Sequence, residues 1–313
     1  MKILFAGTPE FAAGFLKSLI NSEHSVIGVI TQPDRPGKRG KKLQESPVKK
    51  LAREAKLEVI QPKKLSLTDI DHLYCDLMIV VAFGQILKTD VLTHPKMGCI
   101  NVHGSLLPKW RGAAPIQRAI LSGDEKSGIT LIQMNEGLDT GDMLGKAEIT
   151  IFPDDNTGDL FKKFSDIGQT LLIETLELLE DGSEKREPQN NNDASYAHKT
   201  LKSEALLKWR LGARQVDRLV RGFNPEPIAY CFLDNYRIKI YEGRVVQSSS
   251  SRPGEIIELS SDGLLVGCGQ DAYLITKLQL PLGKGVVLSA SDMMNGWSDI
   301  LVKGAVFAET ANE

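Results

Sequence analysis

The chain has 313 residues, 42% of them hydrophobic and 25% charged, ordinary proportions for a soluble globular protein long enough to hold two domains. A formal net charge of −2 excludes a chain that is basic throughout, so any nucleic-acid partner must be met by a local patch. No apolar run reaches the roughly 18 residues of a membrane span, and the four cysteines, Cys75, Cys99, Cys231 and Cys268, have neither C-x-x-C nor Cys/His ligand spacing, which speaks against structural zinc and a disulfide framework.

"KILFAG" (2–7) is apolar, closes on Gly7 and predicts a strand; starting at Lys2, it leaves no room for a targeting peptide, and a reducing cytoplasm is expected. "FAAGFLKSLI" (11–20) has helical spacing, "SVIGVIT" (25–31) is β-branched, "SPVKKLAREA" (46–55) is helical and "LEVIQP" (57–62) is a short strand. "DLMIVVAF" (76–83) is the continuous apolar run that a strand buried on both faces needs. This alternation predicts an α/β fold, a mostly parallel sheet with helices on both faces. "GITLIQM" (128–134) and "LGKAEITIF" (144–152) predict a pair of strands. A helix is expected over about 157–179, with Leu160, Phe164, Ile167, Leu171 and Leu178 as its apolar stripe and Asp181-Gly182 as its stop. "GSEKREPQNNNDAS" (182–195) is polar and aperiodic, which predicts a linker. Beyond about 205, a helix near 212–222 precedes "IAYCFL", "RIKIYEGRVV", "GEIIEL", "GLLVGCG" and "YLITKLQL", short strands suited to a small barrel or sandwich.

"CINVHGSLLPKWRGAAPIQRAI" (99–120) carries the chemistry. It starts as a buried strand, yet places Asn101 and His103 on one face and Val102 on the other. Ligands of open α/β sheets bind beyond the carboxyl ends of the strands, where this pair is delivered. A buried imidazole bonded to backbone, with Asn101 capping the loop, is the structural alternative. The residues that follow favour a ligand: Ser105, Leu106, Leu107 and Pro108 shape a turn, and Gly112-Ala113-Ala114-Pro115 keeps bulk away and starts a helix on proline. A third group must orient the imidazole. "EGLDTGD" (136–142) supplies Asp139, with Asp142 second, unless both are ordinary turn aspartates.

A carboxylate beside an imidazole favours its charged form. An amide and an imidazolium next to a carboxylate suit a reaction in which a carbonyl oxygen gains charge while an amine loses a proton. That is acyl transfer without a covalent nucleophile, and no G-x-S-x-G elbow competes with it. In "AGTPEFA" (6–12), Pro9 lacks a phosphate-facing N–H and Glu10 would repel a pyrophosphate, which disfavours a nicotinamide cofactor.

"NVHGSLLPKWRGAAPIQRAI" together with "GLDTGDM" resembles the folate-dependent formyltransferases, and among them the methionyl-tRNA formyltransferase family. The likeness extends over nearly the whole chain through "FAGTPEFA", "TQPDRPGKRGKKL", "SPVK", "VAFGQIL" and "GFNP". It implies a Rossmann-like catalytic domain at 1–189, a polar linker at 190–207 and an OB-like β-barrel that binds tRNA at 208–313. The family's catalytic Asn, His and Asp fall on Asn101, His103 and Asp139. The implied donor is 10-formyltetrahydrofolate and the acceptor is the methionine amine of initiator tRNA, with no metal and a cytoplasmic monomer. Ser105, Leu106, Leu107 and Pro108 match the folate-binding segment, and Phe83, Gly84, Gln85, Ile86 and Leu87 would line the pterin pocket. Glu226 departs from the Trp that many relatives carry in their "FNP-x-P" stretch.

Two basic clusters offset the mild acidity of the whole. Residues 31–55 carry eight lysines and arginines against Asp34, Glu45 and Glu54; a second group runs from Lys199 to Arg221. Arg35, Lys38, Arg39, Lys41 and Lys42 in the first, and Lys208, Arg210 and Arg214 in the second, are the expected tRNA contacts. The alternative reading of the first run is a solvated charged loop. The competing functions are another folate-dependent formyl transfer (to an amino sugar nucleotide or glycinamide ribonucleotide), hydrolysis of the formyl donor, and RNA binding without catalysis.

Overall fold

A computed structural model of the chain describes residues 1–37, 43–248, 252–282 and 285–310. Two compact units are present. The first comprises Met1–Pro115, Lys126–Thr150 and Phe161–His198; the second comprises Ile116–Glu125, Ile151–Leu160 and the chain from Lys199 onward.

Up to residue 198 the elements are β1 (Lys2–Gly7), α1 (Glu10–Ile20), β2 (Ser25–Ile30), the short pair β3 (Arg35–Pro36) and β4 (Leu43–Gln44), α2 (Pro47–Glu54), β5 (Val59–Ile60), β6 (Leu77–Val81), α3 (Thr89–Leu92), β7 (Cys99–His103), β8 (Arg111–Gly112), α4 (Pro115–Ser122), β9 (Lys126–Gln133), β10 (Met143–Thr150), α5 (Thr157–Asp181) and β11 (Tyr196–Ala197). The main sheet has the order β10-β9-β7-β6-β1-β2-β5. Strands β5, β2, β1, β6 and β7 run parallel, while β9 lies antiparallel to β7 and β10 antiparallel to β9. All five residues of β6 are buried, as its unbroken apolar run predicts. Leu4, Ala6, Met78, Val80 and Cys99 pack on one face with Leu65, Ile70, Val91 and Leu92, so the one-turn helix α3 and the preceding loop cover that side.

Helix α2 starts as its sequence dictates, with Ser46 accepting the Lys49 N–H and Pro47 in the first turn. In α5 the buried positions Leu160, Phe164, Leu172, Leu176 and Leu179 step mostly by four. Each buried Leu contributes about 1.5–3 kcal/mol. Leu178, expected in this stripe, is instead 44% exposed, because the stripe rotates onto Leu176 and Leu179 on either side of it.

Residues 182–195, expected to be a linker, are bonded into the first unit. Glu187 and Met143 exchange both backbone hydrogen bonds at 2.8 and 2.9 Å, and β11 runs parallel to β8. Most of its side chains are exposed, yet Gln189, Asn191 and Ser195 are hydrogen-bonded within the fold.

The second unit contains α6 (Ala213–Gly222), β12 (Ala229–Leu233), β13 (Tyr236–Val246), β14 (Ile256–Ser260), β15 (Gly263–Gly267), β16 (Ala272–Gln279), β17 (Val287–Ser289) and α7 (Ala290–Gly296). Its antiparallel sheet has the order β12-β13-β16-β15-β14, with β17 on β16. The edge strands do not pair directly. Ala308 bridges Phe232 on β12 and Val306 bridges Glu255 beside β14, so the tail closes the sheet into a small barrel rather than a sandwich. Trp209 stacks on Phe307 at 5.6 Å within the core that Val216 and Val220 of α6 also enter. Among the described residues no helix is long and apolar enough to cross a membrane.

Candidate active site

Strand β7 brings Asn101 and His103 to its carboxyl end on the face it shares with Cys99, as residue parity requires. His103 is 4% exposed and Asn101 is half-buried. Cys99 is not a nucleophile: burial, with the Cys75 thiol nearby, pushes its thiol up to about 12, so the thiolate is absent at neutral pH.

The β9–β10 connection carries Asp139 to the same place. Asn135 Oδ1 accepts from the Gly137 N–H at 3.0 Å and the Thr140 hydroxyl at 2.8 Å, which ties the loop to its own base. Gly141 passes so close to the Gln133 carbonyl that any Cβ would overlap it. Between these ties Asp139 adopts φ 52°, in the left-handed region, which costs a non-glycine residue about 1–3 kcal/mol and needs surrounding support.

That support is the site itself. Asp139 Oδ1 accepts from Asn101 Nδ2 at 3.2 Å, and Oδ2 accepts from the Gly112 N–H at 2.8 Å. His103 Nδ1 lies 3.5 Å from Oδ2, while its Nε2 lies 2.9 Å from the Trp110 carbonyl oxygen. A carbonyl only accepts, so Nε2 carries a proton and Nδ1 is the nitrogen turned to the carboxylate. The three expected polar groups therefore meet. Asp142, the second candidate, takes part in the β9–β10 ladder, its carbonyl accepting from the Gln133 N–H at 2.9 Å.

The folate candidates are divided. Val80 on β6 pairs with Asn101 on β7, which places the loop at 82–87 beside the site. Phe83 and Leu87 are buried in the core, and Gln85 binds the Leu65 N–H at 2.8 Å and the Pro62 carbonyl at 3.3 Å. Ala82 and Gly84 are exposed and, at φ 45° and 80°, turn the chain sharply; Ile86 projects outward, 89% exposed. The Phe83 carbonyl accepts from Gln32 at 3.1 Å and from Thr8 at 3.4 Å, knitting together the ends of β1, β2 and β6. In the second segment Ser105 and Leu107 are buried. Thr130 Oγ1 accepts the Leu107 N–H at 3.1 Å and donates to the Ser105 carbonyl at 2.7 Å, and Ser105 Oγ donates to the Lys109 carbonyl at 2.5 Å. Leu106 and Pro108 keep partial exposure on this braced turn.

Of the expected tRNA contacts, Lys38, Arg39, Lys41 and Lys42 lie outside the described residues. Arg35, Lys208, Arg210 and Arg214 are exposed, and Arg210 pairs with Glu309 at 2.8 Å. Lys49 binds Asp34 at 2.6 Å and Arg53 binds Glu45 at 2.6 Å, so part of the first cluster's charge is spent within it. Glu226 is exposed on the surface of the second unit.

Sequence reasoning missed four supporting residues. The Trp110 carbonyl and Gly112 N–H were invisible because backbone groups leave no residue signature. Arg111 is 2% exposed, and its guanidinium donates to Gln189 Oε1 at 3.0 and 2.8 Å and to Asn191 Oδ1 at 2.9 Å. Gln189 Nε2 in turn donates to the carbonyls of Asp139 and Gly141, both at 2.8 Å. The one available signal was a run of amides, "PQNNND", which a solvated linker would also show. Among the described residues no group of three or more His, Cys, Asp or Glu is arranged to hold a metal ion.

Residues 1–176 match the family model described as formyl transferase, and residues 199–298 match that of the formyl transferase C-terminal domain. A methionyl-tRNA formyltransferase from Pseudoalteromonas translucida (strain TAC 125) is 47% identical over 316 residues, covering 99% of this chain and 98% of its own. Among solved structures, the sugar 3N-formyl transferase WlaRD, in the presence of dTDP and 5-N-formyl-THF, aligns with TM-score 0.67 at 20% identity over 88% of this chain and 96% of its own. A methionyl-tRNA formyltransferase from Clostridium thermocellum aligns with TM-score 0.57 at 18% identity over 88% of this chain and 99% of its own. At those identities the two structures bear on the fold alone.

Proposed function

The chain belongs to the formyl transferase family, and on that premise we propose that it moves the formyl group of 10-formyltetrahydrofolate onto the α-amino group of methionine esterified to initiator tRNA, the step that prepares the charged tRNA for translation initiation. The observation that carries this reading is the convergence of Asn101 and His103, from the end of β7, on the carboxylate of Asp139, from the β9–β10 loop.

The neutral amine attacks the formyl carbon. A C–N bond forms and the carbonyl π pair moves onto oxygen. Asn101 donates to that oxygen, and a proton on His103 Nδ1, shared with Asp139 Oδ2, gives the second donor. Because Nε2 already holds its proton against the Trp110 carbonyl, donation from Nδ1 requires the imidazolium, whose charge Asp139 balances. Two donors aimed at a developing oxyanion are each worth about 10²–10³ in rate. Asp139 accepts the amine's proton through water. The tetrahedral adduct then collapses, the C=O bond re-forms, the bond to the folate nitrogen breaks, and that nitrogen takes through water the proton that Asp139 had accepted, which returns the carboxylate.

The exposed turn at 82–86 and the braced segment at 105–108 flank this trio and fit a flat, polar-edged ring system through backbone groups and the Ile86 and Leu106 side chains. Arg35, Lys38, Arg39, Lys41 and Lys42 would meet the tRNA backbone, with Lys208, Arg210 and Arg214 adding phosphate contacts.

The test supplies 10-formyltetrahydrofolate with methionyl initiator tRNA, uncharged tRNA or an amino sugar nucleotide. Formylation of the charged tRNA alone is expected. Formylation of the sugar nucleotide, or formate release with no acceptor present, overturns the assignment.

A further inference from the structure

Arg111 is a buried cation whose hydrogen bonds go to neutral amides. Its guanidinium makes three, two to Gln189 and one to Asn191. A buried guanidinium held this way fixes its partners, because a buried N–H left unbonded forfeits its hydration with nothing in return. Gln189 thus has its oxygen committed to Arg111, which also settles which end of the amide carries the NH2 group. That NH2 group spends both of its protons on the catalytic loop, one on the Asp139 carbonyl and one on the Gly141 carbonyl.

The same strap organises the other side of the carboxylate. The Ser195 hydroxyl accepts the Trp110 N–H at 3.0 Å, the Ser195 carbonyl accepts the Arg111 N–H at 2.8 Å, and β11 pairs with β8 at Arg111 and Gly112. Trp110 supplies the carbonyl that holds His103 Nε2, and Gly112 supplies the N–H that holds Asp139 Oδ2. Trp110, Gly112 and the Asp139 backbone, which with Asn101 orient the His103–Asp139 pair, are therefore tied to residues 189–197.

Resting on the proposed function, we infer that Gln189 is a positioning residue for the transfer step: clamped by Arg111, it holds Asp139 in its left-handed backbone conformation with the carboxylate facing Asn101, His103 and the Gly112 N–H. Gln189 has no contact with a reacting atom in this scheme; it acts through Asp139.

Gln189→Glu separates the two halves of the clamp. The carboxylate keeps its bonds to Arg111 but has no N–H for the carbonyls of Asp139 and Gly141. The expected result is a kcat lower by about 10- to 100-fold, as a displacement near 1 Å produces, with KM for the folate donor within about threefold of the unaltered chain. A merely structural loss would not depend on Asp139, so the decisive comparison is a cycle with Asp139→Asn. If Gln189 acts through Asp139, the double variant is no slower than Asp139→Asn within about threefold. A second readout needs no substrate. Hydrogen exchange at the Gly112 N–H, which Asp139 protects, should accelerate in Gln189→Glu while exchange in β6 stays unchanged. Gln189→Met, neutral and of similar length, gives the same measurements should the charged variant fold poorly. Unchanged kcat, losses that multiply in the cycle, or a Gly112 amide as protected as before overturns the inference. Failure to formylate charged tRNA would overturn the proposed function alone, since Gly112 exchange still reports the hold of Gln189 on Asp139.

Discussion

Asn101 donates to Asp139 at 3.2 Å across 38 residues of chain, one from the end of a parallel strand and the other from the loop of an antiparallel pair. The bond serves two ends. It stabilises a carboxylate that burial alone would disfavour, and it fixes the amide plane where an oxyanion would form.

Removing either donor should therefore cost rate and little stability. Asn101→Ala and His103→Ala are each expected to lower kcat/KM by about 10²–10⁴. Asn101 is only half-buried, and the buried His103 ring is held by polar partners, the Trp110 carbonyl and Asp139. Circular dichroism and thermal melting should show a folded protein in both cases. A folded variant retaining most of its activity would remove that residue from the reaction.

Gly141→Ala tests whether the tight closure of the Asp139 loop matters. A Cβ there overlaps the Gln133 carbonyl, so the loop must open or the β9–β10 ladder must shift. Overpacking of this kind costs about 1–3 kcal/mol, and Asp139 lies two residues away. The expected outcome is a lower urea midpoint with kcat reduced by at least about tenfold, in keeping with the cost of a 1 Å misplacement. Full turnover despite the methyl group would mean that the loop position is not critical.

The sheet and its order of helices were legible because burial on both faces leaves unbroken apolar runs, as in β6, and amphipathic helices repeat every three or four residues. Asn101 and His103 were legible because polar residues interrupt such a run with strand parity. Asp139 was legible as the leading candidate in a glycine-flanked loop between two strands, but the ordinary-turn alternative stayed open until the resemblance, since nothing in "EGLDTGD" distinguishes a carboxylate turned inward from one in an ordinary turn. The strap at 187–197 was not legible. Gln, Asn and Ser satisfy buried carbonyls as readily as they face water, and amide networks have no period. Barrel and sandwich likewise differed only in the two bridges made by Val306 and Ala308, single pairings that no strand pattern announces.

Asp34 gives a pH-dependent prediction. Its carboxyl is held below the usual carboxylate range, first by the hydrogen bond from Lys49 at 2.6 Å and then by that from Gln61 at 2.8 Å. A group depressed on folding adds stability that is fully present above its unfolded pKa and lost as pH falls through its folded one. Asp34→Asn should thus unfold at lower urea than the unaltered chain at pH 6, and the gap should close as the pH is taken down through and below 3.8, the unperturbed value. A gap that stays constant over that range would show that the carboxylate's charge contributes nothing.

The last prediction concerns how a chain of net charge −2 holds a polyanion. Lys49 and Arg53 are paired with Asp34 and Glu45, which leaves Arg35, Lys38, Arg39, Lys41, Lys42 and Lys50 against Glu54 in the first cluster. If these meet phosphates, binding is driven by counterion release, and the logarithm of affinity falls linearly with the logarithm of salt. Replacing Lys38, Arg39, Lys41 and Lys42 with glutamine should raise KM for methionyl-tRNA and lower its salt slope by about one for each phosphate no longer neutralised. The kcat at saturating tRNA should stay near that of the unaltered chain, because Asn101, His103 and Asp139 are untouched. Lys208→Gln with Arg214→Gln should act in the same direction with a smaller slope change, two charges rather than four being removed. A quadruple variant with the original KM and the original salt slope would place the tRNA elsewhere on the molecule.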